Sequence, residues 1–179
     1  MNSVVKKLVL SAMFLALCLV LPFLTGQLQQ FGKALLPMHI PVLLCGLICG
    51  WQYGLAVGAI APILRSLIFA MPPLWPMAFS MAFELAGYGF MTGLMYKFLP
   101  KKKWCVYPNL IISMIAGRIV YGIVMFTLSG MFANIHYSFE SLVTGTVIEG
   151  IPGIILQIVL IPVIIIALEQ AKLLPLKEH

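Results

Sequence analysis

Apolar residues run along this chain in six blocks, separated by short polar, glycine-rich or proline-rich breaks. The blocks are Val4–Leu24, Leu36–Cys49, Tyr53–Met71, Pro76–Tyr96, Tyr107–Ser129 and Leu142–Leu168. A helix that crosses a bilayer needs roughly 20 apolar residues, with about 17 to 25 tolerated. Five blocks meet that length and the second falls short. The break between the second and third, Gly50-Trp51-Gln52-Tyr53-Gly54, carries no charge. A single helix over residues 36–71 would nonetheless be ~54 Å long, against a hydrocarbon core of ~30 Å. The break therefore predicts a turn, and the pattern predicts six spans.

Composition moves the reading from helices in general to helices in lipid. Of 179 residues, 62% are hydrophobic and 9% are charged. Soluble domains carry about 25% charge, so too few polar groups are present to cover a water-facing surface. Disorder is excluded by the same numbers, because it needs low hydrophobicity. Charge placement then sets the topology. With six spans and a cytoplasmic N-terminus, Lys6, Lys7, Lys97, Lys101, Lys102, Lys103, Lys172 and Lys177 are inside, and only Lys33 is outside. Five spans would put the Lys101–Lys103 run outside, against the positive-inside rule. The expected fold is an all-α membrane protein, one six-helix transmembrane domain over residues 1–179 with both termini cytoplasmic.

The net charge of +6 is then topological and not a nucleic-acid surface. The first block lacks a small-residue cleavage site after Leu24, so it reads as a retained span and not as a signal peptide. Cys18, Cys45, Cys49 and Cys105 form no disulfide framework. Cys45 and Cys49 lie one turn apart with no His or carboxylate near in sequence, which suits apolar filler better than a metal site.

Four ionisable residues fall inside spans: Arg65, Glu84, Arg118 and Glu149, in the third, fourth, fifth and sixth. A charge at the bilayer centre costs roughly 2.5–3.5 kcal/mol even on lenient scales, so such groups face a partner or an internal cavity. Counting from the span ends puts all four in the outer half, roughly 9 to 17 Å deep at 1.5 Å per residue. This predicts a polar chamber open to the outside and sealed inside by apolar packing. At helical spacing Glu84 shares a face with Met77, Met81 and Tyr88, and Arg118 with Met114, Tyr121 and Met125. Glu149 sits with Thr146, Gly153 and Gln157. A mostly apolar pocket with a few convergent polar groups is the usual small-molecule site. The plainer alternative is that the four charges only pair with each other and hold the bundle together.

Around that chamber the outer loops supply further candidates: Trp75 in the stiff Pro72–Pro76 turn, and Asn134, His136 and Tyr137 in the third outer loop. Trp75 and Tyr137 also fit the aromatic belt of a membrane interface. His39, at the outer start of the second span, reads as a ligand or as a boundary residue. Several chemistries are missing. No Walker sequence is present, so ATP hydrolysis through a P-loop is excluded, and neither a His-Glu-x-x-His nor a Gly-x-Ser-x-Gly sequence occurs. No cofactor or metal is expected, and the chain does not read as an enzyme. A stand-alone proton-coupled carrier, with Glu84 or Glu149 as the proton site, is the competing transport reading.

The whole chain resembles the substrate-binding S components of energy-coupling factor (ECF) vitamin transporters. The resemblance rests on Ala12 and Ala16 as an A-x-x-x-A motif in the first span. It rests also on Leu36-Pro37-Met38-His39-Ile40-Pro41 through Gly46, Gly50, Trp51, Gly54 and Gly58, on Pro62-Ile63-Leu64-Arg65-Ser66, and on Ala82-Phe83-Glu84-Leu85-Ala86-Gly87-Tyr88-Gly89. It implies a multi-pass protein of a prokaryotic plasma membrane that captures a vitamin outside. It also implies docking through Ala12 and Ala16 onto a transmembrane coupling subunit driven by two ATPases. Among substrates pantothenate is favoured, because Arg65 and Arg118 suit an anion. A B6 vitamer, niacin, a thiamine precursor, cobalamin and a queuosine precursor are the alternatives. The implied substrate residues are Arg65, Glu84, Tyr88, Arg118, Tyr121, Glu149, Asn134, His136, Tyr137, His39 and Trp75.

Overall fold

A computed structural model describes residues 3–25, 36–99, 103–132 and 150–170. All regular structure among them is helical: α1 (Ser3–Thr25), α2 (His39–Cys49), α3 (Trp51–Phe69), α4 (Phe79–Phe98), α5 (Val106–Met131) and α6 (Ile151–Gln170). A short widened turn, Leu74–Ala78, leads into α4, with Trp75 extended inside it (φ −119°, ψ 132°). Four helices, α1, α3, α5 and α6, are long and apolar enough to cross a membrane.

The other two differ for a physical reason. Helix α2 has 11 residues, and ten of them are buried. At 1.5 Å per residue it is ~16 Å long, about half a hydrocarbon core. A helix that is apolar on every side belongs in an interior, and α2 is enclosed by α1, α3 and α4. Helix α4 has 20 residues but holds Glu84, Tyr88, Thr92 and three glycines. It is the hub of the bundle, packing against α2, α3 and α5. A helix so enclosed meets protein along much of its surface and needs less apolar character than one facing lipid.

The turn predicted between the second and third blocks shrinks to one residue. Gly50 joins α2 directly to α3 at φ 100° and ψ 171°, where a side chain would be strained. Gly46, Gly54 and Gly58 do not form two separate faces, as their interruption by that turn suggests. They converge on one stretch of α4. A Cβ at Gly46 would lie 2.7 Å from the Gly89 carbonyl oxygen, and one at Gly54 2.6 Å from the same atom. Gly58 abuts the Leu85 carbonyl, and Gly93 abuts Trp51. Small residues let backbones touch where lipid supplies no hydrophobic drive for association.

Helix α1 lies on the outside. Its Ser11, Phe14 and Cys18 are buried on one stripe, while Val5, Val9, Ala12, Ala16 and Val20 are exposed on the opposite one. Pro22 has no N–H to donate and crowds the carbonyl one turn earlier. Three residues before Pro22, Arg65 Nη1 on α3 donates to the Leu19 carbonyl at 2.7 Å.

Gly89→Ala should lower the stability of the purified protein by about 1–3 kcal/mol, because backbone stands where the methyl must go. Gly130 has nothing within 4 Å of an added Cβ, so Gly130→Ala should be neutral or raise stability by roughly 0.5–1 kcal/mol. Thermal unfolding in one detergent measures both. Equal effects would contradict the seam.

Candidate functional site

Four of the sequence-predicted residues meet in the interior. Glu84 on α4 is 2% exposed, and its Oε1 accepts contacts from three helices. Arg118 Nη1 on α5 lies 3.0 Å away. His39 Nε2 on α2 lies 3.6 Å away. The Tyr88 hydroxyl, one turn along α4, donates to it at 3.3 Å. The His39 and Tyr88 rings stand edge to face with centroids 5.1 Å apart. Tyr88 is held in turn by Gly117, since a Cβ there would come within 2.9 Å of the ring. The reading of His39 as a boundary residue is thereby replaced, because it sits 1% exposed at the centre of the cluster.

The cluster carries more hydrogen-bonding capacity than its members use. Among the described residues, Nε and Nη2 of Arg118 are buried with no hydrogen-bond partner, as are both ring nitrogens of His39. Buried donors without acceptors cost about 1–3 kcal/mol each, and more when charged. Such groups mark strain, function or a ligand position. Gln157 adds another, 1% exposed on α6 with its Nε2 unpartnered. It lies on the buried stripe Gly153, Gln157, Ile161 and Ile165 of α6.

Arg65 goes elsewhere. Besides binding the Leu19 carbonyl, its guanidinium lies over the rings of Phe23 (5.0 Å) and Phe69 (5.6 Å). Arg65 thus ties α1 to α3. Trp75 is 47% exposed and packs with Phe79 and Phe132 at 5.4 and 5.2 Å, an aromatic group on the surface. Tyr121 is half-buried, one turn from Arg118. Glu149, Asn134, His136 and Tyr137 lie outside the described residues.

Neutral polar residues continue the α4–α5 seam on both sides of the charges, and the sequence reading passed them over. The Ser80 hydroxyl meets Pro76 O at 2.9 Å and Met125 Sδ at 3.0 Å. Toward the other end, Asn109 Nδ2 donates to Thr92 O at 3.1 Å, and Ser113 Oγ donates to Asn109 Oδ1 at 3.2 Å. The signal was present in the four-residue spacings Ser80–Glu84–Tyr88–Thr92 and Asn109–Ser113. A separate groove of about 380 Å³ opens at the far end of α2, lined by Lys7, Trp51, Tyr53, Tyr96 and Lys97 among others. His39 and Gly50 bound α2, so this groove is roughly 16 Å from the charges. Among the described residues no group of three or more His, Cys, Asp or Glu is placed to hold a metal ion.

A family model described as "ECF transporter, substrate-specific component" matches residues 6–165. No curated protein and no solved structure matches the chain.

Removing one member of the buried pair leaves its partner uncompensated. Glu84→Leu or Arg118→Met alone should therefore cost about 3–5 kcal/mol, while the two changes together should cost far less than either. Unfolding of the three variants in detergent checks this. A double variant as unstable as the sum of the singles would show that the two charges are not coupled.

Proposed function

The chain belongs to the substrate-specific components of ECF transporters, which are transport proteins and not enzymes, and from that premise we propose that it captures a vitamin outside the cell. The observation that carries this reading is the buried Glu84–Arg118–His39–Tyr88 cluster with donors left over. Leu43, Leu85 and Met114 belong to the same buried hydrophobic core as Tyr88, and mostly apolar surroundings with a few polar groups are usual for a small-molecule site. Pantothenate is the favoured substrate. A B6 vitamer, niacin, cobalamin, or a thiamine or queuosine precursor is the alternative. Glu149, Asn134, His136, Tyr137, Tyr121 and Trp75 belong to the proposed site as well. Arg65 contributes by fastening α1 beside it.

The chain crosses the plasma membrane of a prokaryote six times, with both ends cytoplasmic. The lysine distribution supports that orientation. Helix α2 serves as one of the six although short, because protein and not lipid surrounds it. A transmembrane coupling subunit and two ATPases power delivery. Docking uses the α1 face of Ala12 and Ala16, whose support is its exposure together with Val5, Val9 and Val20. Small residues there let a partner helix approach closely.

Purification from native membranes should retain a small molecule identifiable by mass spectrometry and co-purify the coupling subunit. Ala12→Trp and Ala16→Trp should abolish uptake by cells yet leave vitamin binding within about twofold, as expected for sites without shared contacts. Loss of binding in these variants would contradict separate docking and binding surfaces. Liposomes holding the chain alone should show no uptake driven by a pH gradient, and uptake there would favour a self-sufficient carrier.

A further inference from the structure

Arg118 meets Glu84 through one corner of its guanidinium only. Nη1 is the atom engaged, 3.0 Å from Oε1. The opposite edge, Nε and Nη2, is buried and has no acceptor among the described residues. Those two N–H groups point in parallel from one planar group, which is the arrangement that a carboxylate accepts with both oxygens. A hydroxyl or carbonyl would satisfy one N–H and leave the other. Resting on the reading that this is the vitamin site, we propose that the substrate is a monocarboxylate whose carboxylate docks side-on on the Arg118 Nε–Nη2 edge. His39, which faces the same Glu84 oxygen and has both ring nitrogens unpaired, takes a polar group elsewhere on the same molecule.

Charge separates a carboxylate from a phosphate. Among the described residues Arg118 is the only arginine or lysine of the cluster, and Glu84 already answers it. Each further negative charge brought into the interior lacks a cation of its own and is penalised by desolvation. A monoanion asks least of such a site, and a phosphate dianion asks twice as much. Arg65 cannot serve as a second anion anchor while its Nη1 is on the Leu19 carbonyl and Phe23 and Phe69 flank it.

The test uses matched pairs that differ at the acidic group, titrated calorimetrically into the whole protein in detergent. The pairs are pantothenate with pantothenol, nicotinate with nicotinamide, and pyridoxal 5′-phosphate with pyridoxal. The expected result is that one carboxylate binds at least ~100-fold more tightly than its neutral partner, the loss of a charge-assisted bidentate contact. Arg118→Lys keeps the charge opposite Glu84, so it should fold, but it removes the paired edge. It should shrink that preference to below ~10-fold. Equal affinity within the carboxylate pairs, tight binding of the phosphate or of a neutral vitamin, or an undiminished preference in Arg118→Lys would overturn the carboxylate assignment while leaving the capture role intact. Binding of no member of the panel also overturns it. If the protein in addition fails to co-purify with a coupling subunit, the capture role falls with it.

Discussion

Glu84 is held at 2% exposure in a chain whose surroundings offer it no water, so other side chains must answer its charge. Arg118 from α5 and Tyr88 from its own helix do so, and His39 from α2 faces the same oxygen at 3.6 Å. Satisfying one carboxylate thereby fixes the relative rotation of three helices. A pair of this sort is poor value as stabilisation, because desolvation offsets much of the attraction. The proposed binding role gives its presence at the centre of the bundle a reason that folding alone does not, and the donors it leaves unpaired among the described residues support that proposal.

The packing around Glu84 follows from bringing it to that centre. Helix α4 must be enclosed, and glycines on α2 and α3 allow backbone to lie against backbone at Gly89 and Leu85. On its other side α4 meets α5 through polar side chains, from Ser80 and Met125 through Glu84 and Arg118 to Thr92, Asn109 and Ser113. The two seams differ in kind. One is featureless and close, and the other is specific and polar. Helix α1 is bound to this core by a narrower stripe and by the Arg65 bond to the Leu19 carbonyl, and its opposite face is left exposed.

Much of this was legible from residue order. Hydrophobic block lengths located the helices. The rarity of intramembrane charge singled out Glu84 and Arg118. What linear pattern could not convey was azimuth between helices. Arg65 and Arg118 look alike at the level of depth, yet one serves backbone at a proline-bearing helix and the other serves a carboxylate. His39 looked peripheral because it starts a helix, but that helix is half-length and buried, so its first residue lies in the core. Ser80, Thr92, Asn109 and Ser113 escaped notice because neutral polar residues cost little in a membrane helix when they bond to carbonyls. Helix α4 fell short of lipid-level hydropathy for the same reason, being solvated by its neighbours.

The central claim is that the Glu84–Arg118–His39–Tyr88 cluster is where a member of the ECF substrate-specific components holds its cargo. A structure of the protein with its retained small molecule, solved by cryo-electron microscopy or crystallography, tests it most directly. The account predicts ligand density within hydrogen-bonding distance of Arg118 Nε and Nη2, with His39 at the other side. Ligand density in the groove beside Trp51 and Tyr53, with the Arg118–Glu84 pair closed off from it, would contradict the account.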